Sequence, residues 1–321
     1  MPERNSPSRP AVAPVKVLAI IGMTRSGSTI LDNILGELDG FFSTGELHYL
    51  WQRGVMDRRR CGCGATVVAC PVWSRILAQV SNEGERAAPA EVVDWQQRTV
   101  RARHTWKLMR RTRAEAGGPP SLGAYENVLA HLYRAVADVT GTRVVIDSSK
   151  RASDAAVLGL LPGVEPYFVH LVRDPRAVAY SWRRAKRELD HDGRAEMPRR
   201  STISSATTWL ELNLAAEAVR HGYARDRSLL IRYEDFVERP AATVRRIAAL
   251  VGEAPTQLPI DDEGTARLGV NHSVAGNPSR FRRGAVGLHS DDEWQRAQSL
   301  FDKTLTTGMT LPMLARYGYW I

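Results

Sequence analysis

Residues 15–29 read VKVLAIIGMTRSGST, and the order of residue types in this stretch decides the fold. Residues 15–21 are apolar except for Lys16, rich in Val and Ile, and bounded by Pro14 and Gly22. A short continuous apolar run of this kind reads as a strand buried on both faces, the habit of parallel sheets. A loop bearing Gly22 and Gly27 follows, and then Ile30, Leu31, Ile34, Leu35 and Leu38 recur at helical spacing. The chain therefore opens as strand, loop, helix.

The same unit recurs downstream. Strands are expected at 143–147, 167–172 and 228–232, and helices at 154–161, 177–189 and about 241–251. Strands alternating with helices imply an α/β fold: a three-layer sandwich with a central parallel sheet and a nucleotide-kinase-like phosphate loop. Ligands of such sheets bind at the carboxyl ends of the strands. Residues 51–140 read as a mostly helical insert, with one long basic helix over 91–113 and another over 122–139, placed as a cap over the binding edge. Residues 190–200 and 261–287 lack periodicity and read as long loops. Residues 1–14 are polar and proline-bearing and read as a disordered tail, leaving 15–321 as one domain.

The loop at 22–29 is close to the nucleotide-triphosphate pattern G-x-x-x-x-G-K-[ST]. Gly22 and Gly27 fit, and so does Thr29, but Ser28 stands in the lysine position and a cation comes earlier, at Arg25. The anion nest of successive amides and the helix N-terminus survives that change. The lysine that reaches β- and γ-phosphates does not. Such a loop suits a phosphate ester without a γ-phosphate.

Arg25-Ser26-Gly27-Ser28-Thr29 resembles the 5'-phosphosulfate loop of sulfotransferases that use 3'-phosphoadenosine-5'-phosphosulfate (PAPS). The arginine form is similar to that of carbohydrate, tyrosylprotein and bacterial members. A second element resembles the family's 3'-phosphate site: a strand at 169–172, Arg173 at its end, and Ser181 eight residues later. Arginine can hold a phosphate bidentately, and the hydroxyl adds a neutral donor. The same stretch reads as a helix start, with Asp174 capping and Pro175 at the first helical position. Residues 231–235, IRYED, resemble the family segment whose tyrosine lies near the adenosine, here Tyr233. Residues 271–284 carry Arg280, Arg282 and Arg283 before Gly284 and resemble the late basic loop that closes over the nucleotide; which arginine touches phosphate stays open. The resemblance covers about 15–50 and 143–290. It implies PAPS as co-substrate, held by Thr24 through Thr29, Arg173, Ser181, Tyr233 and the late loop. It also implies transfer of a sulfuryl group to a hydroxyl on a small or carbohydrate-like acceptor, with no metal required.

In-line sulfuryl transfer asks the protein to position, to stabilise charge and to take a proton. Arg25 and Lys150 are the candidates for charge, Lys150 because it follows a strand at the binding edge. Glu46, in Ser43-Thr44-Gly45-Glu46, is the candidate base, since two branches of the family carry a similarly placed glutamate. His48 is its rival, because histidine titrates in the right range.

Formal net charge is +9, from 44 basic and 35 acidic residues, and only five of the basic residues are lysine. Charge of that sign suits an anionic partner without choosing one. No zinc-finger, RRM or KH signature accompanies it, so a nucleic-acid partner is not expected. No apolar run reaches 18 residues and no signal-peptide pattern opens the chain, so neither a membrane span nor secretion is expected. The three cysteines then point to a reducing, cytoplasmic setting. They form C-x-C-x6-C over Cys61, Cys63 and Cys70, which is not a standard zinc spacing. A zinc site completed by His48 or His104, a disulfide with one free thiol, and three reduced thiols all remain open. The competing activity is a kinase-like phosphotransferase with Asp147 holding magnesium.

Overall fold

Both faces of the first strand are apolar, and both are covered. The computed structural model describes residues 13–83, 87–111, 120–184, 189, 198–223 and 225–319. In it β1 (Val15–Gly22) sends Val17, Ala19 and Ile21 into one apolar layer and Leu18 and Ile20 into the other. None of the five is more than 4% exposed. Burial of each large aliphatic side chain contributes about 1.5–3 kcal/mol, so the strand is anchored from both sides.

The sheet adds β2 (Phe41–Ser43), β3 (Val144–Lys150), β4 (Val164–Val172) and β5 (Ser228–Arg232). Its order is β2-β3-β1-β4-β5 and every pairing is parallel. The helices are α1 (Ser28–Gly36), α2 (Pro71–Glu83), α3 (Pro89–Thr99), α4 (Thr105–Met109), α5 (Pro120–Thr140), α6 (Ala152–Leu158), α7 (Pro175–Arg183) and α8 (Thr202–Gly222). After β5 come α9 (Tyr233–Glu238), α10 (Pro240–Leu250), α11 (Glu293–Ala297) and α12 (Leu300–Arg316). One face of the sheet packs on α5, α6 and α8 through Leu132, Val136, Val157 and Ala216, and α2 packs behind α5, adding Trp73 to the same apolar layer. The other packs on α1 and α10 through Leu31, Ile34, Val244 and Ile247. The helix after β1 and the helix after β3 thus lie on opposite faces, which opens a crevice at the carboxyl end of β1.

The α/β sandwich agrees with the sequence reading, and several details correct it. The expected long helix over 91–113 is broken: α3 stops at Thr99, and α4 begins at Thr105 after a 3-10 turn at Ala102–His104. The break has a local cause. Val100 leaves helical geometry at φ −117°, ψ 66°, its side chain is buried, and His104 Nδ1 bonds Thr99 O at 2.9 Å. Most of the insert covers a face of the sheet, where α5 packs on β1 and β3, and its start reaches the binding edge through Arg53. The segment 261–287, read as a loop, holds an antiparallel pair, β6 (Thr265–Leu268) and β7 (Gly284–Gly287). Its inward residues, Ala266 and Val286, are too far apart in sequence to show a period. Residues 1–12 of the expected 1–14 tail, the segment 190–197 and the end of the 177–189 helix beyond 184 (save Leu189) lie outside the described residues. No described helix is long and apolar enough to cross a membrane.

Candidate functional site

The loop between β1 and α1 is shaped by backbone conformation. Arg25 stands at φ 71° and Gly27 at φ 83°, both in the left-handed region. Gly27 caps α1, and the ring of Tyr233 lies so close that an added Cβ would fall 2.4 Å from Tyr233 Cδ2. Only glycine satisfies both demands. Ser26 and Ser28 are buried, and Ser26 Oγ has no hydrogen-bond partner among the described residues. Arg25 lies over the Trp182 ring at 4.8 Å, and Arg200 lies 4.7 Å from the same ring. Burial first, and then the nearby Arg184 charge, pull the Arg25 guanidinium below its ordinary value.

Arg173 ends β4 and turns back across this loop. Its Nη1 donates to Arg25 O at 3.0 Å, and its guanidinium stacks on Tyr233 at 4.6 Å. Its other branch pairs with Asp291 at 3.1 Å. Asp174 caps α7 by accepting from the Arg176 amide at 2.8 Å, with Pro175 at the first helical position. That cap orients the helix so that Ser181 faces the same cavity as Arg173.

Glu46 and Lys150 meet although 104 residues separate them. Lys150 Nζ donates to Glu46 Oε1 at 2.5 Å and to Ser148 O at 2.9 Å. The pair is 6% and 14% exposed on the lysine and glutamate sides. Lys150 sits past an irregularity between β1 and β3 and takes φ 69°, a strained conformation for a lysine. The Glu46 amide donates to Val274 O at 2.8 Å, which ties the carboxylate's backbone to the late loop. His48 turns elsewhere: its Nδ1 meets Asp154 Oδ1 at 3.1 Å and Gln96 Nε2 at 3.2 Å.

One cavity of about 1070 Å³ is lined by Thr24, Arg25, Gly27, Ser28 and Thr29, by Arg173, Ser181, Tyr233, Glu46 and Lys150, and by further walls from Arg53 and the late loop, whereas Ser26 lies buried beneath the loop and does not line it. A model of the sulfotransferase family matches residues 18–256. The chain belongs to that family. It is similar in fold to the sulfotransferase domain of the Synechococcus PCC 7002 olefin synthase, at 20% identity and a TM-score of 0.51. That match covers 94% of this chain and 97% of the other. It is also similar to the sulfotransferase domain from the curacin biosynthetic pathway, at 16% identity and a TM-score of 0.51, with 94% and 98% covered. No curated protein matches the chain.

The sulfotransferase sorts its late-loop arginines into different duties. Arg282 lines the cavity. Arg280, expected beside it, is 1% exposed and points inward, donating to Ser273 O at 2.8 Å and Arg60 O at 2.7 Å. Arg283 donates to Cys63 O at 3.2 Å, and neither it nor Gly284 lines the cavity. His48 does not line it either. Asp147, the acid a magnesium-dependent kinase would need, is buried and accepts from Tyr133 at 2.7 Å and from Ser149 Oγ at 2.5 Å. Trp182, Tyr49, Arg53 and Asp291 also line the cavity and were missed. Trp182 directly follows Ser181 on a helix already assigned to the site, so its neighbour was the available signal. The cysteines gather around His272, not around His48 or His104.

Proposed function

We propose that this sulfotransferase carries the sulfuryl group of PAPS to a hydroxyl on a small or carbohydrate-like acceptor and releases adenosine 3',5'-bisphosphate. The observation that carries the reading is the shared cavity. The 24–29 loop, the Arg173 and Ser181 pair, and the Glu46–Lys150 pair all open into one space. The 24–29 loop would hold the 5'-phosphosulfate, with buried Ser26 Oγ still in need of a partner. Arg173 and Ser181 would hold the 3'-phosphate, which must displace Asp291 from the guanidinium. The Tyr233 ring would stack near the adenine.

In the reaction the acceptor O–H gives its proton to a Glu46 carboxylate oxygen while the acceptor oxygen forms a bond to sulfur. The bond from sulfur to the bridging oxygen breaks, and its electron pair leaves on the 5'-phosphate. Arg25 and Lys150 offset charge on the equatorial oxygens and the leaving oxygen. Lys150 also keeps the Glu46 carboxylate oriented until the acceptor arrives. His48 is less suited as a base, because its Nδ1 is engaged by Asp154 and Gln96 away from the cavity. A kinase-like reaction is disfavoured by the two donors already occupying Asp147.

The test pairs ligand binding with a base variant. Adenosine 3',5'-bisphosphate should raise the melting temperature without magnesium. Labelled PAPS and an extract of the native cell should yield a labelled product. Glu46→Gln should keep the thermal shift and slow labelling by roughly 10²–10⁴-fold, the usual worth of a general base. A shift given only by Mg-ATP would overturn the nucleotide assignment. Near-normal labelling by Glu46→Gln alongside an inactive His48→Ala would move the base to His48.

A further inference from the structure

Cys61, Cys63 and Cys70 are free thiols spread over ten residues of the insert, and His272 comes from the far end of the chain. Their four ligand atoms all lie within 4.8 Å of one another. His272 Nδ1 is 3.2 Å from Cys70 Sγ and 3.9 Å from Cys61 Sγ. Ligand atoms around a tetrahedral zinc stand roughly 3.5–3.8 Å apart, given Zn–S near 2.3 Å and Zn–N near 2.0 Å. The cluster is thus close to metal-binding size before any adjustment. Two of the three thiols are fully buried.

The geometry points to a structural zinc site of the Cys3His type, formed by Cys61, Cys63, Cys70 and His272. Three thiolates and one imidazole are a donor set that favours zinc over harder cations. Four protein ligands close the coordination sphere and leave no position for substrate. None of the four lines the cavity where the chemistry is expected, so the metal would be a staple rather than a reagent.

The surrounding backbone is built to support those ligands. Gly64 N donates to Cys61 O at 2.8 Å, closing a tight turn between the first two cysteines. A Cβ on Gly62 would stand 1.8 Å from Asn271 Oδ1, so only glycine lets the turn approach the segment that carries His272. The Trp73 indole donates to His272 O, and Gly62 N donates to Ser273 O at 3.0 Å. These bonds put the staple two residues from Val274, whose carbonyl receives the Glu46 amide. Zinc would therefore fix the start of the late loop against the insert and, through Val274, support Glu46 from behind.

The experiment uses the full chain purified without chelators. Elemental analysis should find about one zinc per chain, and a mercurial that captures thiolates should release it to a colorimetric chelator. Cobalt substitution should give the intense visible bands of tetrahedral thiolate cobalt. His272→Cys, which keeps four ligands, should retain one equivalent, and so should His48→Ala and His104→Ala. Cys70→Ser should lose most of the metal; if it fails to fold, the His272→Cys and cobalt results still decide. Less than a tenth of an equivalent after zinc addition, with three thiols freely alkylated in the folded protein, would overturn the proposal. So would a disulfide among the three, or loss of metal from His48→Ala or His104→Ala.

Discussion

Two loops wall the same cavity, and they are made in opposite ways. The front loop, residues 22–29, takes its shape from its own sequence: an apolar strand before it, an apolar helix after it, and glycine at the left-handed cap. The late loop, residues 271–284, has only a short 3-10 turn of its own, Pro278–Phe281, before β7. It is held by residues far away in sequence. Val274 N donates to Thr44 O at 2.7 Å, Arg280 reaches Arg60 O, and Arg283 reaches Cys63 O. A loop of the first kind is a motif. A loop of the second kind is a consequence of the whole fold, and its stability is shared with the parts that hold it.

That difference predicts where each loop fails. The front loop's weakness is local and electrostatic. Asp32 lies in α1 just beyond the loop, fully buried, and burial pushes its carboxyl up to about 7, against which the Ser43 hydroxyl bond at 2.7 Å offers only partial relief. The folded value is above the unfolded value of 3.8. The folded state therefore binds the proton more tightly, and Asp32's contribution is fully present below pH 4 and lost as pH rises to about 7. Asp32→Asn removes this dependence while keeping a hydrogen bond to Ser43. Urea unfolding at pH 4 and pH 8 should show the variant gaining on the natural protein by on the order of 4 kcal/mol across that range. Parallel stability curves would show that Asp32 stays ionised in the fold.

The late loop's weakness is tertiary. Arg280→Ala removes two charge-assisted bonds and leaves the buried Ser273 carbonyl without this donor, beside the space the guanidinium filled. A loss of about 3 kcal/mol in urea unfolding at neutral pH is expected, with Arg280→Lys recovering only part because a lysine cannot span both carbonyls. A loss below about 1 kcal/mol would mean that the other long-range bonds hold the loop without it.

The same contrast explains what was legible in the sequence. The sheet, the front loop, Arg173 and Ser181 could be read because each lies within a contiguous strand-loop-helix unit, residues 15–36 for the front loop and 164–183 for Arg173 and Ser181. Glu46 and Lys150 could be named separately, but their contact depends on β2 and β3 becoming neighbours, and β2 is only three residues long. The late loop could be named as basic, but not sorted. Nothing in the run Arg280-Phe281-Arg282-Arg283 tells that the first guanidinium goes inside. His272 was unreadable as a partner of the cysteines for the same reason, since it is 202 residues beyond Cys70.

The smallest effect tests that sorting directly. Arg282 lines the cavity, whereas Arg283 points back to the cysteine turn through Cys63 O at 3.2 Å and Gly62 O at 3.4 Å. Both are exposed, so neither substitution should move stability by more than about 0.5 kcal/mol. Binding of adenosine 3',5'-bisphosphate, measured calorimetrically without magnesium, should separate them. Arg282→Ala is expected to cost about 1.5–3 kcal/mol, the worth of a hydrogen bond to a charged group. Arg283→Ala should change affinity by less than about threefold, because its charge is spent on carbonyls and is screened by solvent at longer range. Equal losses would mean that the late loop binds through its summed charge, and the division of duties among its arginines would then not exist. A larger loss for Arg283→Ala would reverse the division and require the loop to turn over when nucleotide binds.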